Sequence, residues 1–203
     1  MKKIFLAAIA MFACVQFANA QRTSGTQFSA SIGINGSQIT DANYNSDAVA
    51  GLNLGVAVDQ YFSHDWSINV GLNYQQKGWA NGTVYFDNGN QIDGVDFKLH
   101  YLTVPVLANL HFGYKRNWYV DFGPYIGFLL SASESSNTTF DTKSYFNSVD
   151  GGVAANIGVK IPINRQSHFF IEFGGQGGLA NVVRDANPSL QNITTSLNVG
   201  IGF

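Results

Sequence analysis

The chain has 203 residues, of which only 12% are charged, with 22 glycines, 16 phenylalanines and a formal net charge of -2. Soluble domains carry roughly twice that share of charge, yet mean hydropathy is near zero, which excludes both a disordered polar chain and a bundle of membrane helices. The charge balance gives no electrostatic case for nucleic acid, and the single cysteine, Cys14, leaves everything after it without disulfide or thiolate chemistry.

Residues 1–20 read as a secretory signal peptide. Lys2 and Lys3 form a charged start, 4–17 is an apolar stretch, and Ala18-Asn19-Ala20 is a small-residue cleavage site that would leave Gln21 as the mature start. The apolar stretch is shorter than the roughly 20 residues that a spanning helix needs. Met11-Phe12-Ala13-Cys14 is a poor lipoprotein signal, and the better cleavage site follows it. The remaining 21–203 is expected to form one domain.

That domain consists of eight runs with period-two alternation, the pattern of strands whose successive side chains face opposite sides. The runs are 26–35, 48–62, 66–77, 97–112, 118–130, 151–163, 168–179 and 192–203. In the first, Phe28, Ala30, Ile32 and Ile34 alternate with Ser29, Ser31 and Gly33. In the third, Trp66, Ile68, Val70, Leu72 and Tyr74 alternate with Ser67, Asn69, Gly71, Asn73 and Gln75. In the last, Ile193, Thr195, Leu197, Val199, Ile201 and Phe203 alternate with Thr194, Ser196, Asn198, Gly200 and Gly202. The connections alternate without exception. Ser63-His64-Asp65, 113–117 and 164–167 are tight turns, whereas 36–47, 78–96, 131–150 and 180–191 are long and polar. Short periplasmic turns and long extracellular loops are the layout of an outer-membrane barrel.

A soluble barrel would keep its apolar face inside and show Lys and Glu to water. Here the polar face carries Asn, Ser, Gly and Gln with little charge, while the apolar face is aliphatic and uninterrupted. The prediction is therefore an all-β, eight-stranded, antiparallel up-and-down transmembrane barrel with its apolar face to lipid. Strand one would pair with strand eight to close it. Aromatics near the strand ends, such as Trp66, Trp118 and Phe169 at the short turns and Tyr74 and Phe128 near the long loops, suit interfacial girdles. Pro105 and Pro124 lie inside strands and are expected to mark bulges. Residues 97–100 are expected above the hydrocarbon, because Lys98 and His100 share the parity of the lipid face.

Two strands carry a family resemblance. Tyr101-Leu102-Thr103-Val104-Pro105-Val106-Leu107-Ala108-Asn109 resembles the Y-L-x-x-P-L-L-x-K/N strand, and Gly123-Pro124-Tyr125-Ile126-Gly127 the G-P-Y-x-G strand, of the small outer-membrane β-barrel family that includes PorT-like proteins. The resemblance implies the barrel fold and location. It supplies no active-site residues, and the association of PorT with the type IX secretion system does not transfer on these motifs.

On the inward face Asp59, His111, Asp121, Lys160, His168 and Glu172 are titratable. Lys160 with Glu172, and His111 with Asp121, flank tight turns on adjacent strands and are expected to pair. A narrow lumen needs its charges paired and hydrogen-bonded, so a side-chain plug is favoured over an ion path. No cofactor or metal is expected, because Asp41-Ala42-Asn43 and Asp87-Asn88-Gly89-Asn90 lack the closing Glu of a calcium loop. No enzyme is expected either: none of His64, His100, His111 and His168 begins the His-x-Ser of a lipid A deacylase. The long loops hold Trp79, Tyr85, Phe86, Phe140 and Tyr145 among small polar residues, a composition suited to an adaptable interaction surface or to local packing. The expected partners are outer-membrane lipid and lipopolysaccharide, the barrel assembly machinery through Phe203, and a protein at the extracellular loops. The expected role is a non-enzymatic structural or adhesion-type barrel, with an accessory part of a secretion machine or a lipid A-modifying enzyme as alternatives.

Overall fold

The computed structural model of the chain describes residues 25–40, 46–85, 91–135, 139–141, 143–164, 166–184 and 189–203. The expected signal peptide and the start at Gln21 lie outside these residues. The long strands are β1 (Thr26–Thr40), β2 (Asp47–Tyr61), β3 (Trp66–Tyr85), β4 (Gln91–Phe112), β5 (Trp118–Ser135), β7 (Val149–Pro162), β8 (His168–Gly178) and β9 (Gln191–Gly202); a short β6 (Thr139–Asp141) lies beside β5. The long strands pair antiparallel in the order β4-β3-β2-β1-β9-β8-β7-β5, and β4 pairs with β5 to close the barrel. Closure between β1 and β9 runs from Ser29 opposite Gly202 to Thr40 opposite Gln191. Just beyond it, the Phe28 and Phe203 backbones exchange hydrogen bonds of 2.9 and 2.8 Å. Full closure leaves no edge, which a membrane-spanning sheet cannot leave unpaired.

The register explains how one face stays apolar all the way round. Following cross-strand partners gives the row Leu54, Ile32, Val199, Ile171, Val159, Trp118, Phe112. All of these except Val159 are among the exposed large hydrophobic residues. One residue along, the inner row is Gln75, Asn53, Gly33, Asn198, Glu172, Gly158, Tyr119, His111. It starts opposite Tyr101 on β4 and returns to β4 at His111, ten residues along (101 to 111). That stagger goes with a strand tilt of roughly 40° and a bore that side chains can fill.

Pro105 and Pro124 do not mark bulges. Pairing keeps one register from Val70–Val106 to Asn73–Thr103 and from Pro105–Tyr125 to Ala108–Phe122, so the ladder is interrupted but not shifted. Each proline lacks a single donor, and Gly71 leaves room for one of the rings, since a Cβ there would lie 3.0 Å from Pro105 Cγ. The register shifts lie in the long-loop half, at Ala48/Asn53, Trp79/Gly82/Val84 and His100/Tyr101. At the second of these Gly78 has φ +154, and a Cβ would overlap the Phe97 carbonyl, so only glycine fits this irregularity.

The strands also run further than their alternation indicated. β3 and β4 continue as a hairpin to Tyr85 and from Gln91, through much of the stretch 78–96 expected as a loop. Next to that extension Phe97 and Leu99 are buried inside while Lys98 is exposed outside. This accounts for a lysine on lipid-face parity: beyond the apolar belt the outer wall meets water.

Candidate functional site

The lumen is the most chemically organised part of the molecule, and it is filled in layers. At the short-turn end, Asp59 on β2 accepts hydrogen bonds from Ser67 Oγ (3.3 Å), Asn69 Nδ2 (3.2 Å) and Asn109 Nδ2 (3.4 Å). Lys160 on β7 lies four strands away round the barrel, yet reaches across the bore to within 3.6 Å of Asp59 and donates to the Tyr61 hydroxyl at 2.9 Å. His111 Nε2 meets Ser67 Oγ at 3.1 Å.

The middle layer depends on glycines that leave space for longer neighbours. Tyr119 on β5 crosses over β7 to donate to Glu172 on β8 at 2.8 Å. It can do so because Gly158 lies between them: a Cβ there would be 2.4 Å from the Tyr119 hydroxyl. Asn53 on β2 likewise donates to Asn198 on β9 at 2.9 Å, crossing Gly33 on β1. Asn198 in turn donates to Glu172 at 3.2 Å, and Asn156 donates to Asp121.

Five of the six inward titratable residues, Asp59, His111, Asp121, Lys160 and Glu172, therefore take part in these contacts, but not in the predicted pairs; His168 lies toward the short-turn end. Glu172 sits opposite Gly158, not Lys160, and Asp121 opposite Asn109, not His111. Lys160 pairs with Asp59 across the bore instead. Chain proximity at a turn is a weaker guide than the diameter of the barrel, because a lysine side chain spans a narrow lumen.

A second charged layer lies higher and was missed from sequence. Lys77 Nζ is 3.3 Å from Asp150 Oδ2, with both side chains at most 1% exposed. The ammonium sits 4.8 Å from the Tyr125 ring centre and 5.4 Å from that of Tyr101, within cation–π range. Asp150 Oδ2 also accepts from Asn192 Nδ2 at 3.1 Å and from the Tyr125 hydroxyl at 3.4 Å. Lys77 has lumen parity on its strand, and Asp150 has lumen parity on β7. Both stand at the ends of the period-two runs, where loop and strand look alike.

Above this pair the bore becomes apolar. Ile39, Trp79, Val95, Phe97, Leu99, Leu129, Ala132, Phe146 and Val182 form a buried cluster with Tyr101. Phe146 enters it from the chain between β6 and β7, with its ring edge-on to Trp79 and Phe97 at 5.9 Å each. Two loop segments are laced together over the mouth: Asn147 N donates to Val182 O (2.8 Å) and Arg184 N to Tyr145 O (2.9 Å).

The aromatic loop candidates thus divide. Trp79 is not a surface residue but a buried part of this cap, because the hairpin turns it inward. Tyr145, in the chain between β6 and β7, is 68% exposed. Tyr85 ends β3 and Phe140 lies in β6, but their side chains, like the whole of Phe86, fall outside the described residues; so do Asp41 and Asp87. Among the described residues no cluster of His, Cys, Asp and Glu is placed to hold a metal. His100 faces outward and meets the Tyr74 hydroxyl at 2.6 Å.

A closed barrel, apolar outside and polar within, is an outer-membrane architecture. The outer membrane protein beta-barrel domain family matches residues 17–184, and the chain belongs to that family. No curated protein matches. Among solved structures, Neisserial surface protein A is similar at 13% identity over 88% of this chain and 97% of that one, with a TM-score of 0.52. OprG of Pseudomonas aeruginosa is similar at 13% identity over 89% and 96%, with a TM-score of 0.52. Ail, the attachment invasion locus protein of Yersinia pestis, is 16% identical over 87% and 98%, with a TM-score of 0.46. At these identities the likeness is one of fold.

Proposed function

We propose that the protein is a non-enzymatic, sealed barrel of a Gram-negative outer membrane that acts through its extracellular face as an adhesion-type or structural protein. The observation that supports this reading is the filled bore. The polar lumen keeps a cavity of only about 80 Å³, room for a handful of waters, and the apolar cap lies above it. A barrel closed in this way offers its surroundings two ends and an outer wall. On the outer side the exposed chain around Tyr145 and the hairpin of β3 and β4 are the surface for a partner. Lipid and lipopolysaccharide contact the wall, Phe203 is the signal for the assembly machinery, and export follows cleavage after Ala20.

A second reading, which the Pro105 and Pro124 motifs do not themselves carry, is an accessory part of a type IX-like secretion machine. Replacing residues 139–145 by a Gly-Ser linker separates the two. Under the adhesion reading, cells lose attachment while secretion and the amount of folded barrel stay unchanged. Loss of secretion with attachment intact would favour the machine. A change in lipid A on deletion of the protein would contradict both.

A further inference from the structure

At the short-turn end the bore widens into an open cup of about 280 Å³. Its floor is the inner face of the barrel, and its rim is made by the turns that follow β2, β4 and β7. Among the described residues, none of the thirteen that line it is acidic, while three are histidines and three are Lys or Arg. The whole chain has 13 acidic residues against 11 Lys and Arg, and only 4 His. The cup therefore gathers most of the imidazoles and excludes every carboxylate.

The carboxylates that balance its cations stand outside the lining. Asp65 pairs with Arg116 Nε at 2.8 Å, and Asp59 meets Lys160 from deeper in the bore at 3.6 Å. Arg116 Nη1 also lies 3.4 Å from His64 Nδ1. Lys115, exposed on the rim, makes no ion pair among the described residues. Donors thus converge from separate sides: His64 from one turn, Lys115 and Arg116 from the next, Gln166 from the third, with His168 on the floor.

We propose that this cup is a binding site for a phosphate group presented along the barrel axis from the periplasmic side. A phosphate offers acceptor oxygens in every direction, which suits donors arriving from several sides, whereas a carboxylate offers two in one plane. The site is separate from the loop surface and from the Lys77–Asp150 layer, and it meets the lower charged layer at Lys160.

The test uses the full barrel refolded in a maltoside detergent, with inorganic pyrophosphate as the probe and calorimetry as the readout. Saturable binding is expected, weakened about tenfold in Lys115→Gln, the size of one lost charge-assisted contact. Lys98→Gln on the outer wall should leave it unchanged. Heat-modifiable gel migration verifies that each variant is folded, and Lys115 stands on an exposed rim where substitution spares the fold. No saturable heat, equal weakening by Lys98→Gln, or tighter binding of citrate than of pyrophosphate would overturn the proposal. Repeating the titration in nanodiscs with and without phosphatidylglycerol identifies the source. Competition by the anionic lipid assigns a headgroup phosphate, and unchanged binding assigns a soluble one.

Discussion

Among the described residues two lysines point into the lumen, Lys77 and Lys160, and their surroundings differ in kind. Lys77 is sealed between two tyrosine rings and Asp150, with its side chain 0% exposed. Lys160 makes the same type of pair with Asp59, but its side chain keeps 12% exposure and lines the open cup. The first pair lies beneath an apolar cap and is almost completely buried. The second sits where the bore opens. A buried charge that loses its partner is costly because nothing else can solvate it, so the upper pair can only be structural. The lower one can exchange partners with solvent or with an arriving anion. One barrel thus holds a locked half and an accessible half, and the boundary between them follows burial rather than residue type.

Substitutions should separate the halves by size of effect. Asp150→Ala strands Lys77 without a counter-charge and should lower the unfolding free energy by about 4 kcal/mol, read from urea titration in lipid bilayers. Leu99→Ala, a cavity in the cap directly above, should cost about 3 kcal/mol in the same titration. Asp59→Ala should cost about 2 kcal/mol, because Lys160 retains the Tyr61 hydroxyl and access to water. The smallest effect is expected for Lys77→Met combined with Asp150→Leu. An apolar replacement of the whole buried pair should fall within roughly 1 kcal/mol of the parent. A larger loss for Asp59→Ala than for Asp150→Ala would erase the distinction between the halves.

Much of this architecture was legible in the amino-acid order, for a physical reason. A one-residue slip turns a strand's whole apolar set to the other side, so Ile32, Leu54, Val199 and Ile171 announce their face without any structure. The strand pairing β1 with β9 followed from the even count. What alternation could not supply was geometry across the bore. Lys160 finding Asp59 depends on barrel diameter and stagger, and neither is written locally. Lys77 and Asp150 were obscured for a different reason: above the membrane the inner face turns apolar and the outer face polar, so the contrast that defines a strand run fades. Trp79 was left open between surface and packing on the same account, since an aromatic beyond the last clear alternation looks like a loop residue until the hairpin turns it inward and packs it. The cup was invisible in sequence because its donors come from three turns far apart in the chain.

The most direct test of a filled, sealed lumen is electrical. Purified barrel inserted into a planar lipid bilayer should give no discrete conductance steps at any holding potential the membrane tolerates. Heat-modifiable migration of the same sample would verify that it was folded. Reproducible unitary steps from the folded protein would contradict the account, because ions would then have a continuous path past the Lys77–Asp150 layer and the apolar cap.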